Sequence, residues 1–322
     1  MQTEAEVQSF LRDAGWGAAQ ADPLAADFSS RRFRRLTRVG PTPSSAVLMC
    51  CEPNEKAEAL VHMSALLRRL GLPVPDIYAS DLVRHMVLME DFGDRVVGRL
   101  LDEGSERAVY DEQAVALLAK LHRTFTQSML GAFKFPLFNA AIFCDQVGVF
   151  LDHYYPRVFH RQASPRERSR FVEAWHGVLA PLDASVPRSL LLRDFMPDNM
   201  MALGAPVEGW PVGLLDYQDA GIGPIAYDLA SWCEQVRREG GLAVLEGCVE
   251  RYGSLNSVME QQALLCATRI YAAQRHARIL GRLVAMDRTA MIPLVWKTLQ
   301  ALLKHPELAP VRRWFASCAP PS

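Results

Sequence analysis

The feature that most constrains this chain is an island of short apolar strands, Ser189 to Asp219, set between long stretches of helical periodicity. In "LLLRDFMPDNMMAL" apolar runs frame a polar loop, and Pro197 bars helix there. Strands on either side therefore hold Asp194 and Asn199 five residues apart, not on a loose linker. "PVGLLDYQDA" repeats the design: the apolar strand Val212 to Leu215 ends in Asp216, and Asp219 stands three further on. A fold for this chain has to present three carboxylates and an amide from strand ends.

What precedes the island differs from what surrounds it. "SSRRFRRLTRV" and "SAVLMCCE" are extended runs joined by the turn-rich "GPTPS", which predicts an antiparallel hairpin. Asn54 is placed to cap a helix with apolar positions Leu60, Met63, Leu66, Leu67 and Leu70, and Gly71 stops it. "DIYASD" and "HMVLMEDF" read as two more strands, so the first ninety or so residues form a small α+β lobe. After Gly93, residues 106 to 126, 140 to 160 and 166 to 183 are helical by periodicity, and 224 to 252 and 256 to 304 are helix-rich. The expected domains are 1–93 and 94–322, a division that 322 residues support.

Composition excludes several classes. Half the residues are apolar and the formal net charge is −1, which gives no general attraction to nucleic acid or to an anionic membrane. Seven cysteines without a CxxC pair or His–Cys spacing argue against zinc or a disulfide framework and for reduced thiols. "MQTEAEVQSFLRDAGW" carries acids and lacks the apolar core of a signal peptide, and no apolar run reaches membrane-spanning length. A cytoplasmic protein with access to ATP is the expectation; its oligomeric state is not legible.

Phosphoryl transfer needs the set that the island carries. One carboxylate orients the attacking hydroxyl and takes its proton, while a hard magnesium ion takes oxygen ligands from a carboxylate and an amide and neutralises the phosphates. Asp194 fits the first role; Asn199 and Asp216 fit the second. Alone, D-x-x-x-x-N is an ordinary Asx turn; its pairing with Asp216 gives it weight.

With these residues the chain resembles the aminoglycoside phosphotransferase and choline kinase group, relatives of protein kinases. "AADFSSRRFRRL", "VLMCCEP", "GLPVPDIYASDL", "VLMEDFGD", "LLDYQDAGIGPIAYDLAS", "AQRHARILGRL" and "HPELAPVRRW" are similar to the branch that phosphorylates N-acetylmuramate and N-acetylglucosamine at the anomeric hydroxyl in cell-wall recycling. The resemblance implies a two-lobed, protein-kinase-like α+β fold. Its small N-terminal lobe is an antiparallel sheet plus helix, and its large C-terminal lobe is mainly helical. It also implies that Asp228, in "GPIAYDLAS", braces the catalytic loop, although capping its own helix would explain that residue nearly as well. Leu192 and Met196 stand where many relatives carry histidines, so Leu192, beside Arg193, should brace the loop by packing in the core.

Nucleotide binding is expected from the small lobe. The resemblance puts "AADFSSRRFRR" over the phosphates, where Ser29 and Ser30 offer hydroxyls in a stretch without glycine. Arg31, Arg32, Arg34 and Arg35 alternate sides on a strand, so only one set faces the phosphates. Met49 occupies the strand where many kinases keep a lysine. Lys56 is the lobe's one lysine. Glu55 and Glu58 are partners for the arginines or solvated helix charges. By resemblance alone, the backbone of Glu90, Asp91 and Phe92 meets adenine.

For the acceptor, nine Lys/Arg against three Asp/Glu from Glu260 onward leave nine minus three, +6, which disfavours a polycationic aminoglycoside. A neutral or acidic amino sugar is compatible. Arg275, Arg278 and Arg282 share a helical face at i, i+3 and i+7. Arg275 or His276 then reads the acceptor, or the face is solvated. Asp219 is an acceptor-binding group or a solvated carboxylate. The expected enzyme is an ATP- and Mg2+-dependent small-molecule kinase. A kinase for another acceptor and a non-catalytic nucleotide-binding regulator are the alternatives.

Overall fold

The computed structural model describes residues 2–24, 31–40, 42–52, 56–233, 238 and 241–317. They fall into two compact units that interleave along the chain. One comprises Met1–Arg107, Ser128–Phe133 and Pro197–Ala220; the other comprises Ala108–Gln127, Lys134–Met196 and Gly221–Ser322.

In the first unit α1 (Glu4–Asp13) opens with a capping box between Thr3 and Glu6. Five antiparallel strands follow, β1 (Gln20–Leu24), β2 (Arg32–Thr37), β3 (Ser45–Cys50), β4 (Ile77–Asp81) and β5 (Met86–Glu90), in the order β1-β2-β3-β5-β4. The predicted hairpin is β2–β3, with Phe33 opposite Met49 and Arg35 opposite Val47. Alternation sends Leu36, Ala46, Leu48, Cys50, Met86 and Leu88 to one face, where Val7, Phe10, Leu11 and Trp16 cover them. Each leucine, methionine, valine or phenylalanine among them, taken fully out of water, contributes about 1.5–3 kcal/mol. β1 contains Pro23, which an edge strand tolerates because no neighbour needs its missing N–H.

Helix α2 (Ala57–Arg69) lies between β3 and β4, and Gly71, at φ +67°, ends the turn after it. Its cap position is Lys56, left-handed and without a side-chain cap bond; Asn54, the expected cap, lies outside the described residues. The unit is completed by α3 (Val97–Asp102) and the hairpin β7–β8 (Met200–Val207, Trp210–Leu214), whose turn is Glu208-Gly209.

The second unit is mainly helical. α4 (Arg107–Thr124) leads to α5 (Ala140–Val147), a π-helical turn at Phe150–Tyr154, α6 (Tyr155–Phe159) and α7 (Pro165–Ser185). The predicted helix 140–160 is thus broken by the wider turn. There the later helix α10 (Gln261–Ala285) approaches so closely that a Cβ on Gly281 would overlap the backbone of Val149 and Phe150. β6 (Arg188–Leu191) pairs antiparallel with β9 (Gly221–Pro224). After them come α8 (Ala226–Cys233), α9 (Gly241–Leu255), α10 (Gln261–Ala285), α11 (Ile292–Leu302) and α12 (Ala309–Ser317). Among the described residues, no helix is long and apolar enough to cross a membrane.

Candidate active site

The chain passes from one unit to the other between Met196 and Pro197, so Asp194 belongs to the helical unit and Asn199 and Asp216 to the sheet-bearing one.

In the helical unit β6 delivers a short, tightly held turn. The N–H of Asp194 donates to the carbonyl of Leu192 at 2.9 Å, and Arg193 between them has φ +72°. This is the rare, strained form of γ-turn. Asp228, fully buried on α8, holds it: Oδ2 accepts from the Leu192 N–H at 2.6 Å and Oδ1 from the Arg193 N–H at 2.9 Å. The Ser231 hydroxyl donates to the Arg193 carbonyl at 3.3 Å, and the Arg193 guanidinium lies 4.8 Å from the Phe138 ring centroid. Leu192 and Phe195 are both 4% exposed and anchor the turn on either side, Phe195 against Trp232. Asp194, half-buried between the strained Arg193 and the buried Phe195, has little freedom of position.

Burial pushes the Asp228 carboxyl up to about 7; the two N–H donors and Arg275 oppose that rise, and the charge of Asp194 adds to it. A carboxylate sunk this deep survives only because it is hydrogen-bonded. Among the described residues its hydrogen bonds run to the loop, which is the bracing geometry, and not to its own helix N-terminus.

In the sheet-bearing unit Asp216 sits just past β8 with φ +59°. Arg31 Nη2 and Gln218 Nε2 each donate to Asp216 Oδ1 at 2.8 Å. The Asn199 amide approaches Oδ2 at 3.5 Å, and the Asn199 carbonyl accepts from the Leu215 N–H at 2.9 Å. An amide and a carboxylate so close, both half-buried, form an oxygen-donor pair that suits a hard divalent cation, since turning the amide over presents its oxygen. Lys56, also left-handed (φ +60°), ion-pairs with Asp219.

The arginines of β2 part as alternation requires. Arg32 and Arg34 turn to α1, where they meet Gln2 (3.0 Å) and Glu4 (2.9 Å). Arg35 ion-pairs with Asp91 at 2.8 Å and Asp94 at 2.9 Å, and so ties β2 to the segment after β5. Glu90 accepts from the Asp76 N–H at 3.1 Å, and Phe92 rests on Gly213, where any Cβ would strike its ring. Met49 is buried in β3. Among the described residues Glu58 faces His62 and no arginine. Ser29, Ser30 and Glu55 lie outside the described residues.

Arg275 and His276 are the two positions where burial departs most from the surface face that charge spacing suggests. Arg275 is 1% exposed and His276 fully buried, with Nδ1 against the Ala272 carbonyl. Burial pushes the His276 imidazole down to about 4, so it is neutral at physiological pH. Of the three arginines only Arg282 is exposed. Sequence reasoning missed Gln218, Ser231 and Phe138; it named Arg35 among the arginines of which one set faces the phosphates, and missed its tie to the acidic "EDFGD".

Known proteins agree with the fold. The model of the phosphotransferase enzyme family matches residues 20–265. An N-acetylmuramate/N-acetylglucosamine kinase of Caulobacter vibrioides is 26% identical over 98% of this chain and 97% of its own length. One of Pseudomonas putida is 28% identical over 86% of this chain and 80% of its own. Among solved structures, the GDP complex of a point mutant of aminoglycoside 2'-phosphotransferase-IIIa superposes with a TM-score of 0.65 at 12% identity, covering 98% of this chain and 100% of that one. A choline/ethanolamine kinase family protein from Mesorhizobium loti gives 0.62 at 17%, covering 96% and 99%. These likenesses carry the kinase-like α+β fold, and with the family match they lead to one conclusion: the chain belongs to the phosphotransferase enzyme family and is a small-molecule kinase.

Proposed function

We propose that the chain transfers the γ-phosphoryl group of ATP to the anomeric hydroxyl of N-acetylmuramate or N-acetylglucosamine in the cytoplasm, as a step of cell-wall sugar recycling. The observation that carries the reading is the strained turn at Arg193: it fixes Asp194 through Asp228, and a turn of that cost is kept where a carboxylate has to be held in one place. The curated relatives, matched over most of their length, support the acceptor class.

Asp194 orients the sugar hydroxyl and accepts its proton as the new oxygen–phosphorus bond forms, and the bond from the γ-phosphorus to the bridging β-oxygen breaks to release ADP. Asn199 and Asp216 are the residues that would hold magnesium, which when bound supplies charge neutralisation at the phosphates. The nucleotide is taken by residues 1–93 through Ser29, Ser30 and Arg31, with the backbone of 90–92 toward the base; residues 94–322 contribute the catalytic loop and the acceptor site. Arg31, already paired to Asp216, is better placed than Arg32 to replace the lysine absent at Met49. In that division Asp219 stands beside Lys56, as an acceptor contact or as a tether for it.

The test is ADP release with N-acetylmuramate, N-acetylglucosamine, choline and aminoglycosides in parallel, followed by location of the new phosphate by phosphorus NMR. Phosphate on the anomeric oxygen supports the reading. Turnover confined to choline or aminoglycosides replaces the acceptor, and magnesium-dependent ATP binding without transfer to any acceptor makes the chain a regulator.

A further inference from the structure

Helix α10 carries a buried guanidinium for which the fold gives no use. Arg275 is 1% exposed, and its Nε and Nη1 are sealed from solvent without a hydrogen-bond partner. Three residues on, half-buried Arg278 has an equally unpartnered Nε, its Nη1 reaching only Gln146 at 3.4 Å. Arg282, at i+7, is exposed, so the row runs from the surface inward along one helix face. At its inner end Arg275 lies within electrostatic reach of Tyr227, Asp194 and Asp228.

A buried, unpaired N–H costs about 1–3 kcal/mol, and more on a charged group. A solvated basic face is excluded by the burial. A counter-charge for Asp228 would form a hydrogen-bonded ion pair. Instead, both Asp228 oxygens are taken by Leu192 and Arg193 N–H groups, and among the described residues Arg275 makes no ion pair. What remains is a forked cation near the residue assigned as base, with its Nε and Nη1 donors unspent. A planar fork of N–H donors matches a carboxylate.

We infer that Arg275, with Arg278 leading to it, is the anion subsite of the acceptor, and that it takes the carboxylate of an acidic amino sugar whose hydroxyl is held at Asp194. The inference rests on the reading under Proposed function and deepens it: the lactyl carboxylate of N-acetylmuramate fills the subsite, and N-acetylglucosamine, which has none, leaves it empty. The neutral sugar is a substrate that forgoes those hydrogen bonds, and the preference for the acidic sugar resides in this row.

The experiment measures kcat and KM for both sugars, and KM for ATP, in the wild type and in Arg278→Met, Arg275→Lys and Arg275→Met. Charge-assisted hydrogen bonds of this kind set the expected wild-type preference in kcat/KM at about ten- to a hundred-fold for the acidic sugar. The methionine variants bring that ratio close to one through a rise in KM for N-acetylmuramate, with KM for ATP unmoved, and Arg275→Lys recovers part of it. An unchanged ratio in Arg278→Met and Arg275→Lys, or an equal loss for both sugars, overturns the subsite and makes the row structural. Arg278→Met, at a half-buried position, keeps the question open to measurement if Arg275→Met does not fold. If the wild type phosphorylates neither sugar, the acceptor reading falls by itself. The subsite is then judged on the acceptor that a panel of sugars and hydroxy acids reveals: an anionic acceptor retains it and a solely neutral one removes it.

Discussion

Asp228→Asn isolates what the buried brace does. The side chain keeps its volume, but its amide presents one acceptor oxygen where the carboxylate presents two. One of the N–H groups of Leu192 and Arg193, now satisfied at 2.6 and 2.9 Å, then faces an NH2 group. Leaving that donor unmet costs about 1–3 kcal/mol. Against this stands the penalty of the native carboxylate. Burial, above all, raises its folded-state pKa to about 7 from an ordinary 3.8. Between those values the folded protein holds a proton that the unfolded chain has lost, so this group's contribution to stability is full below pH 4 and drains away as pH rises to 7. At 1.36 kcal/mol per unit, the stretch from pH 5 to 7 removes about 3 kcal/mol from the wild type that the variant does not lose. Chemical denaturation at pH 5 and pH 8 should therefore show the variant gaining about 3 kcal/mol relative to wild type at the higher pH. Turnover should fall by about a hundred-fold at both, because the strained turn relaxes and Asp194 drifts. An identical stability difference at the two pH values, or wild-type turnover, would refute the brace.

Other expectations are as direct. Asp194→Asn should retain the wild-type melting temperature and nucleotide affinity while kcat drops about 10²- to 10⁴-fold, the size of a lost general base; turnover within ten-fold of wild type removes Asp194 from its role. Asp216→Asn should lose magnesium-dependent strengthening of ATP binding, read by calorimetry with and without the metal, and retention of that strengthening would dismiss the Asn199–Asp216 pair. Gly281→Ala should destabilise by about 3 kcal/mol in urea, since a Cβ there has only the backbone of Val149 and Phe150 to push against; a neutral effect would mean that the π-helical turn yields freely.

Local patterns in the sequence were legible and distant pairings were not. The β2–β3 hairpin, the apolar stripe of α2 and the strand ends carrying Asp194 and Asp216 follow from alternation, periodicity and turn chemistry within a few residues. β1 escaped because Pro23 argues against strand and only an edge position accommodates it. The island divides because β6 pairs with β9, whose "GIGP" reads as turn chemistry; its glycines are there for close packing, with Phe138 where a Cβ on Gly221 would sit and Leu191 where one on Gly223 would. In the site, the motif exposes Asp194, Asn199 and Asp216. The contacts Arg31 to Asp216 and Lys56 to Asp219 span 185 and 163 residues, and no local rule reaches across them. Arg275 inverts the usual lesson: spacing finds a basic face, and only packing tells whether that face is wet.

Backbone strain separates the residues that serve the fold from those that serve the site. Seven described non-glycine residues have positive φ. His85 and Glu208 sit in the turns between β4 and β5 and between β7 and β8, and His160 and Asp287 follow the ends of α6 and α10, all places where chain reversal calls for a left-handed residue. Lys56, Arg193 and Asp216 have no such excuse. Each is charged, and each is tied by its side chain: Lys56 to Asp219, Arg193 to the Phe138 ring, Asp216 to Arg31 and Gln218. Glycine at any of the three would relieve about 1–2 kcal/mol of strain. The chain bears that cost three times: at Asp216, at Arg193 next to Asp194, and at Lys56, the ion-pair partner of Asp219. The requirement at these points therefore falls on the side chains: Arg193 and Lys56 are tied as Asp216 is, although the motif that revealed Asp194 and Asp216 does not include them.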